Sequence, residues 1–158
     1  MWNNQRWIVM VLLLIGSLQL VACGGSPAAD AAAEKPAHLE EIEGSEFKRV
    51  ILTEKAAERT GVETEPVMSG AEIASTDAST FTPTDNHRVV PYAAVLYGLH
   101  GETWLYTNPA PLTYLREAIT VERIEGDLAI LSEGPEPGTE VVTVGVIELY
   151  GEETGIKK

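Results

Sequence analysis

A mainly β fold, a small barrel or sandwich with one short helix, is predicted by three features of this chain. Apolar residues alternate with polar ones in short runs from Phe47 onward, the period of half-buried strands. Tight clusters of Gly, Pro and Asp separate the runs, as at residues 98–101, 125–127 and 134–138. Only residues 54–60 carry helix start and stop signals. About five or six short strands with closely spaced turns describe a small barrel or sandwich.

The bulk numbers narrow the function. The chain has 158 residues, and its foldable part is roughly 110 residues, a one-domain core with no spare volume for a large buried active site. Net charge is −13, and Arg6 is the only basic residue among the first 22. Without that segment, 10 Lys and Arg face 24 Asp and Glu. Such a balance argues against nucleic acid and against electrostatic docking on anionic lipid.

The N-terminus reads as an address. Arg6 precedes an apolar run, residues 7–15, that is shorter than the about 20 residues a permanent span needs, so residues 1–22 read as a cleavable signal peptide. Leu20, Val21, Ala22 and Cys23 match the bacterial lipobox. Cys23 is the single cysteine, and lipidation at a new N-terminus accounts for an unpaired thiol in an exported chain. The expectation is a lipoprotein anchored to a membrane of the cell envelope, facing the periplasm or the outer surface.

Residues 23–46 hold the lipidated Cys23 and a disordered tether rich in Gly, Ala, Pro and Glu, with a solvated His38. A β domain is expected over 47–150, and a polar, frayed tail over 151–158. Its first strand is 47–52. Thr53 then offers an N-cap oxygen, Glu54 complements the positive end of the dipole, and Gly61 sits at a helix stop, predicting a helix over 54–60. Residues 61–67 alternate again, and Pro66 confines them to an edge or strand end. Residues 68–86 are rich in Ser, Thr and Asp: the first part continues a strand and the rest is a polar connection.

Residues 89–96 form a strand interrupted by Pro91. The Gly98 to Gly101 turn, whose glycines both tolerate positive φ, leads into 102–107, with Trp104 and Tyr106 on one face and Leu105 on the other. A long strand covers 112–124, and a parity switch predicts a bulge or break near Glu117. Residues 128–131 pair back. Residues 140–149 follow, with Val141, Val142, Val144, Val146 and Ile147 apolar on both faces, which marks a central or covered strand.

No catalytic constellation accompanies these strands. His38, His87 and His100 lack zinc-ligand spacing, and Met68 is the sole methionine beyond the signal segment. Ser132 with His87 or His100 lacks a nucleophile elbow. Glu133, Glu136 and Glu140 flank a turn as solvated carboxylates, and Trp104, Tyr106, Tyr92 and Tyr114 read as packing. No metal, cofactor or enzymatic activity is expected.

Four segments carry a resemblance. Residues 60–67, TGVETEPV, are similar to the A-G-I-x-T-x-x-V opening of HlyD-like periplasmic adaptor, or membrane-fusion, proteins of tripartite efflux systems. Val90-Pro91-Tyr92-Ala93-Ala94-Val95 resembles their V-P-x-x-A-V strand entry, and Trp104-Leu105-Tyr106 their V-Y-V strand. Residues 134–145 resemble their G-L-x-x-G-x-x-V-V-x-x-G turn and strand, with Pro135 in place of Leu. The segments occur in family order. Only 20 residues, Met68 to His87, separate the flanking parts, too few for the family's lipoyl domain and α-helical hairpin. The chain thus resembles the barrel and membrane-proximal region alone.

The resemblance implies a non-enzymatic adaptor subunit docking on an inner-membrane pump of the resistance-nodulation-division (RND) type and supporting transmembrane export. A full-length adaptor is a further expected partner, and an oligomer is compatible with it. Partner contacts are expected at two exposed turns, on Gly98, His100 and Gly101 and on Glu133, Glu136 and Gly138. A ligand-binding or structural envelope lipoprotein unrelated to efflux is the alternative. An envelope hydrolase ranks last, because nucleophile, base and orienting group cannot be named together.

Overall fold

The helix signals around residues 53–61 act as written. In the computed structural model, which describes residues 35–72 and 87–156, Thr53 Oγ1 accepts the Ala56 N–H at 3.2 Å and starts α1, Glu54–Thr60. Gly61, at φ 64°, ends it, donating its N–H to the Ala57 carbonyl. Thr53→Ala is expected to lower stability by about 1 kcal/mol, read as a lower urea midpoint at unchanged m. An unmoved midpoint would mean that the hydroxyl caps nothing.

β1 (Ala37–Glu41) and β2 (Lys48–Leu52) precede α1, and β3 (Glu63–Pro66) and β4 (Met68–Ser69) follow it. Further along come β5 (Arg88–Pro91), a 3-10 turn at Tyr92–Ala94, β6 (Leu96–Tyr97), β7 (Thr103–Ala110) and β8 (Thr113–Glu125). β9 (Leu128–Glu133), β10 (Glu140–Val144) and α2 (Val146–Thr154) complete the order.

The strands follow the path β3-β10-β7-β8-β9-β5-β4, with antiparallel pairing throughout. Only Val67 separates β3 from β4 in the chain, so the two ends of the path meet in a nearly closed seven-strand barrel. Val67 fastens that seam, its N–H donating to the Thr139 carbonyl and its carbonyl accepting from Gly138, both at 2.8 Å. Pro66 is the last residue of β3, where a missing N–H disturbs the ladder least.

Strand alternation divides the apolar residues into two cores. Val90, Leu105, Ile119, Leu131 and Val141, from five barrel strands, fill the interior. Tyr106, Val142, Val50 and Leu149 pack on the outside, beneath β2, α1 and α2. Leu105 and Tyr106 therefore face opposite ways, with Trp104 on the Tyr106 side, and β10 is buried on both faces.

Four expectations change. Within the expected tether 23–46, Ala37–Glu41 is a strand paired antiparallel with β2. Its inward residues, Ala37 and Leu39, are too few to stand out among charged neighbours, yet both pack on the outer core. The predicted bulge near Glu117 lies further on, between Thr120 and Arg123, where β8 exchanges its β7 partner for β9. The strand expected over 140–149 stops at Val144, and residues 151–154 of the expected frayed tail are the end of a helix, α2, instead.

Gly145 makes that switch. It takes φ 87°, and a Cβ there would lie 2.9 Å from Val62 and 3.1 Å from Thr60, so both backbone angle and space call for glycine. Beyond it Val146, Leu149 and Glu153, spaced i, i+3 and i+7, are the buried residues of one helical face. The β-branched Val146 and Ile147 favour a strand locally, and burial of that face overrides them. Cys23, the 1–22 segment and most of the 68–86 connection lie outside the described residues.

Candidate functional site

The two turns expected to meet a partner are built for different tasks. At the first, β6 and β7 pair through Leu96↔Trp104 and Tyr97↔Thr103, and the Gly98 N–H donates to the Glu102 carbonyl at 2.8 Å. Gly101 takes φ 91°. Gly98 is there for another reason than positive φ: a Cβ would collide with the Trp104 ring at 2.6 Å. The Glu102 carboxylate accepts the His100 N–H at 3.0 Å and fixes the tip. His100 is exposed, and Leu99 beside it is 100% exposed.

At the second turn, Glu133 accepts from Thr120 Oγ1 at 3.1 Å, Glu136 pairs with Arg88 at 2.6 Å, and Gly138 donates to Val67 at the seam. Gly138 thus closes the barrel. The exposed Glu136 carboxylate holds β5 through Arg88. Thr120 links the two turns, because it bonds Glu133 and also lines a shallow, open groove of about 440 Å³. Tyr97, Gly101, Glu102, Thr103, Ile119 and Val121 line the remainder. The structure therefore places Gly101 in the wall of this groove, with Gly98 and His100 on the same turn and Glu133 bonded to its Thr120, and uses Glu136 and Gly138 elsewhere.

Sequence reasoning missed the aromatic part of this surface. Tyr92, expected as packing, is 43% exposed, and its ring centroid lies 6.3 Å from that of Tyr97, itself 51% exposed. Partial burial, and then Tyr92, raise the Tyr97 phenol above its ordinary pKa. The one available signal was the position of Tyr97 directly before the glycine turn.

Outside the barrel lies a charged cluster that the pattern of residues also did not announce. Arg116 Nη2 donates to Glu153 Oε1 at 3.1 Å, and Nε lies 3.1 Å from Oε2 at an angle outside that of a hydrogen bond. The Tyr106 hydroxyl donates to Oε2 and the Lys48 N–H to Oε1. The guanidinium carbon sits 4.3 Å from the Phe47 ring centroid, 5.0 Å from Trp104 and 5.4 Å from Tyr150. This arrangement clamps α2 and the start of β2 to the barrel wall, with the guanidinium in cation–π range of three rings.

Burial, and then the Glu153 hydrogen bond, hold the Tyr106 phenol far above its ordinary value, so the native state keeps its proton where the unfolded chain loses it. The resulting stability is fully present below the unfolded pKa of about 10 and is lost as pH rises beyond it, at up to about 1.4 kcal/mol per unit. Denaturant titrations at about pH 9 and about pH 11 are expected to show that fall, and Tyr106→Phe to flatten it. An equal slope in both proteins would assign the fall to other groups.

Among the described residues no group of three or more His, Cys, Asp and Glu could hold a metal ion, and no helix is long and apolar enough to cross a membrane. His87 Nε2 pairs with Glu122 at 2.9 Å, and the Ser132 hydroxyl reaches the Thr120 carbonyl at 3.5 Å. Comparisons with models of known families, with curated proteins and with solved structures find no match to this chain.

Proposed function

We propose that this chain is a lipid-anchored, non-enzymatic, adaptor-like subunit of an efflux transporter, docking on the extracytoplasmic domain of an RND-type inner-membrane pump. One observation carries the reading: the four segments that resemble the adaptor family, scattered over residues 60–145, converge in one barrel. β3 pairs with β10, and β10 with β7 at Val141↔Thr107. Val90 and Ala94 share the interior core with Leu105 and Val141. Such convergence supports a common scaffold over a chance match of four short strings.

In this reading Cys23 carries the lipid, the barrel is the scaffold, and the turn at Gly98, His100 and Gly101 makes the first contact, with Glu133 beside it. The short span between Val67 and Arg88 suits a minimal form that works beside a full-length adaptor. Photo-crosslinkers placed at Leu99 and His100 in intact membranes, followed by mass spectrometry, test it. The expected product is a transporter subunit, lost when Cys23→Ala releases the protein from the membrane. Capture of no transporter subunit, with a saturable small-ligand thermal shift instead, would overturn the proposal in favour of a ligand-binding envelope lipoprotein.

A further inference from the structure

In a chain that carries 24 Asp and Glu, residues 89–101 hold no Asp, Glu, Lys or Arg. Buried Val89, Val90, Ala94 and Leu96 pin this uncharged run to the two cores, and between and beyond them it exposes Tyr92, Tyr97 and Leu99. The two tyrosines are in ring contact. Large apolar side chains exposed within one short uncharged segment of an acidic chain mark a place of interaction.

The tip that carries Leu99 is braced. Gly98 leaves no room for a Cβ beside the Trp104 ring, its N–H donates to the Glu102 carbonyl, and the Glu102 carboxylate accepts the His100 N–H. Trp104 in turn meets Phe47 edge to face at 6.4 Å and lies in cation–π range of Arg116. Binding through a side chain held on such a turn costs little loop ordering. Charge borders the tip on both sides. Glu102 is exposed at its C-terminal end, and the Tyr92 N–H donates to the Asp127 carbonyl at 2.7 Å, which sets exposed Asp127 beside the other end. Two acidic borders and a net charge of −13 work against burial in an anionic bilayer and against a second copy of the chain. They favour a partner that presents cations around an apolar centre.

We infer that Leu99, with Tyr92 and Tyr97 beside it, is an anchor that enters an apolar socket on a partner protein, and that Lys or Arg side chains on the rim of that socket face Glu102 and Asp127. The inference deepens the docking reading and rests on it only in taking the 98–101 turn as the part that meets a partner.

Photo-leucine at position 99 of the full chain is activated in intact membranes, and the attached residue is mapped by mass spectrometry. The expected adduct joins an apolar residue of another protein, with Lys or Arg nearby on that protein's surface. A benzophenone at position 100 then reads the yield of the same adduct while the tip is varied. Leu99→Ser, a change at a fully exposed site, is expected to lower that yield about fivefold, and Leu99→Met to restore most of it. Glu102→Gln combined with Asp127→Asn is expected to remove most of the dependence of the yield on salt. Unchanged urea midpoints distinguish these losses from loss of the fold. Adducts to acyl chains, to a second copy of this chain or to charged residues alone overturn the inference, as does the absence of any protein adduct at position 99. A yield indifferent to Leu99→Ser, or a salt dependence untouched by the paired neutralisation, overturns it too. If a transporter subunit is captured but the yield ignores Leu99→Ser, the anchor inference falls and the docking reading stands. If the apolar adduct and its dependence on Leu99 hold on a protein that belongs to no transporter, the docking reading falls and the anchor inference stands.

Discussion

Glu153→Ala is expected to destabilise the protein by about 3–5 kcal/mol, the loss typical when one member of a buried ion pair is removed. Its carboxylate is 3% exposed and that of its partner Arg116 side chain 10%, so water cannot replace the missing charge. The substitution strands the guanidinium among Phe47, Trp104 and Tyr150, and it removes the acceptor of the Tyr106 hydroxyl and of the Lys48 N–H. Arg116→Met in the same chain is expected to recover part of the loss, because an apolar side chain of similar length leaves no charge unpaired. Urea titration of the single and double variants measures both effects. A loss under about 1 kcal/mol would place the pair in solvent, contrary to its burial.

Leu105→Ala should cost about 2–5 kcal/mol, through lost transfer energy and the cavity left behind. Leu105 is 0% exposed in the barrel interior, where Val90, Ile119, Leu131 and Val141 surround it from four other strands. Strands joined around a nearly closed path cannot move inward independently, so the cavity collapses little and the upper part of the range applies. The paired control is Leu99→Ala at the fully exposed tip, where a change within about 0.5 kcal/mol is expected. Similar losses at both leucines would mean that the interior is not closely packed.

Local chemistry wrote much of this into the chain. Thr53 and Gly61 bound α1 because capping and left-handed termination are satisfied within a few residues. Gly101 marks its hairpin for the same reason, and Trp104, Leu105 and Tyr106 announce two buried faces by alternation alone. The α2 helix was not legible: Val144 to Ile147 is β-branched around one glycine, and nothing local tells a continuing strand from a helix start. Gly145 settles it only because Val62 and Thr60, more than eighty residues away in the chain, leave no room there for a Cβ. Ala37–Glu41 was equally silent, since a two-residue apolar pattern becomes a strand only when β2 supplies the ladder.

The candidate site divides the same way. The exposed turn with Gly98, His100 and Gly101 could be read from glycine spacing, because turn geometry is a local requirement. That Glu133 bonds Thr120 in the groove wall, while Glu136 holds Arg88 and Gly138 closes the seam at Val67, depends on which strands become neighbours. By itself, then, the sequence determined the fold class, the turns and the alternation that makes two cores. Tertiary structure alone decided barrel closure at Val67 and the buried Arg116–Glu153 pair. Each of those joins residues distant in the chain, and their free energy exists only once the strands between them have paired.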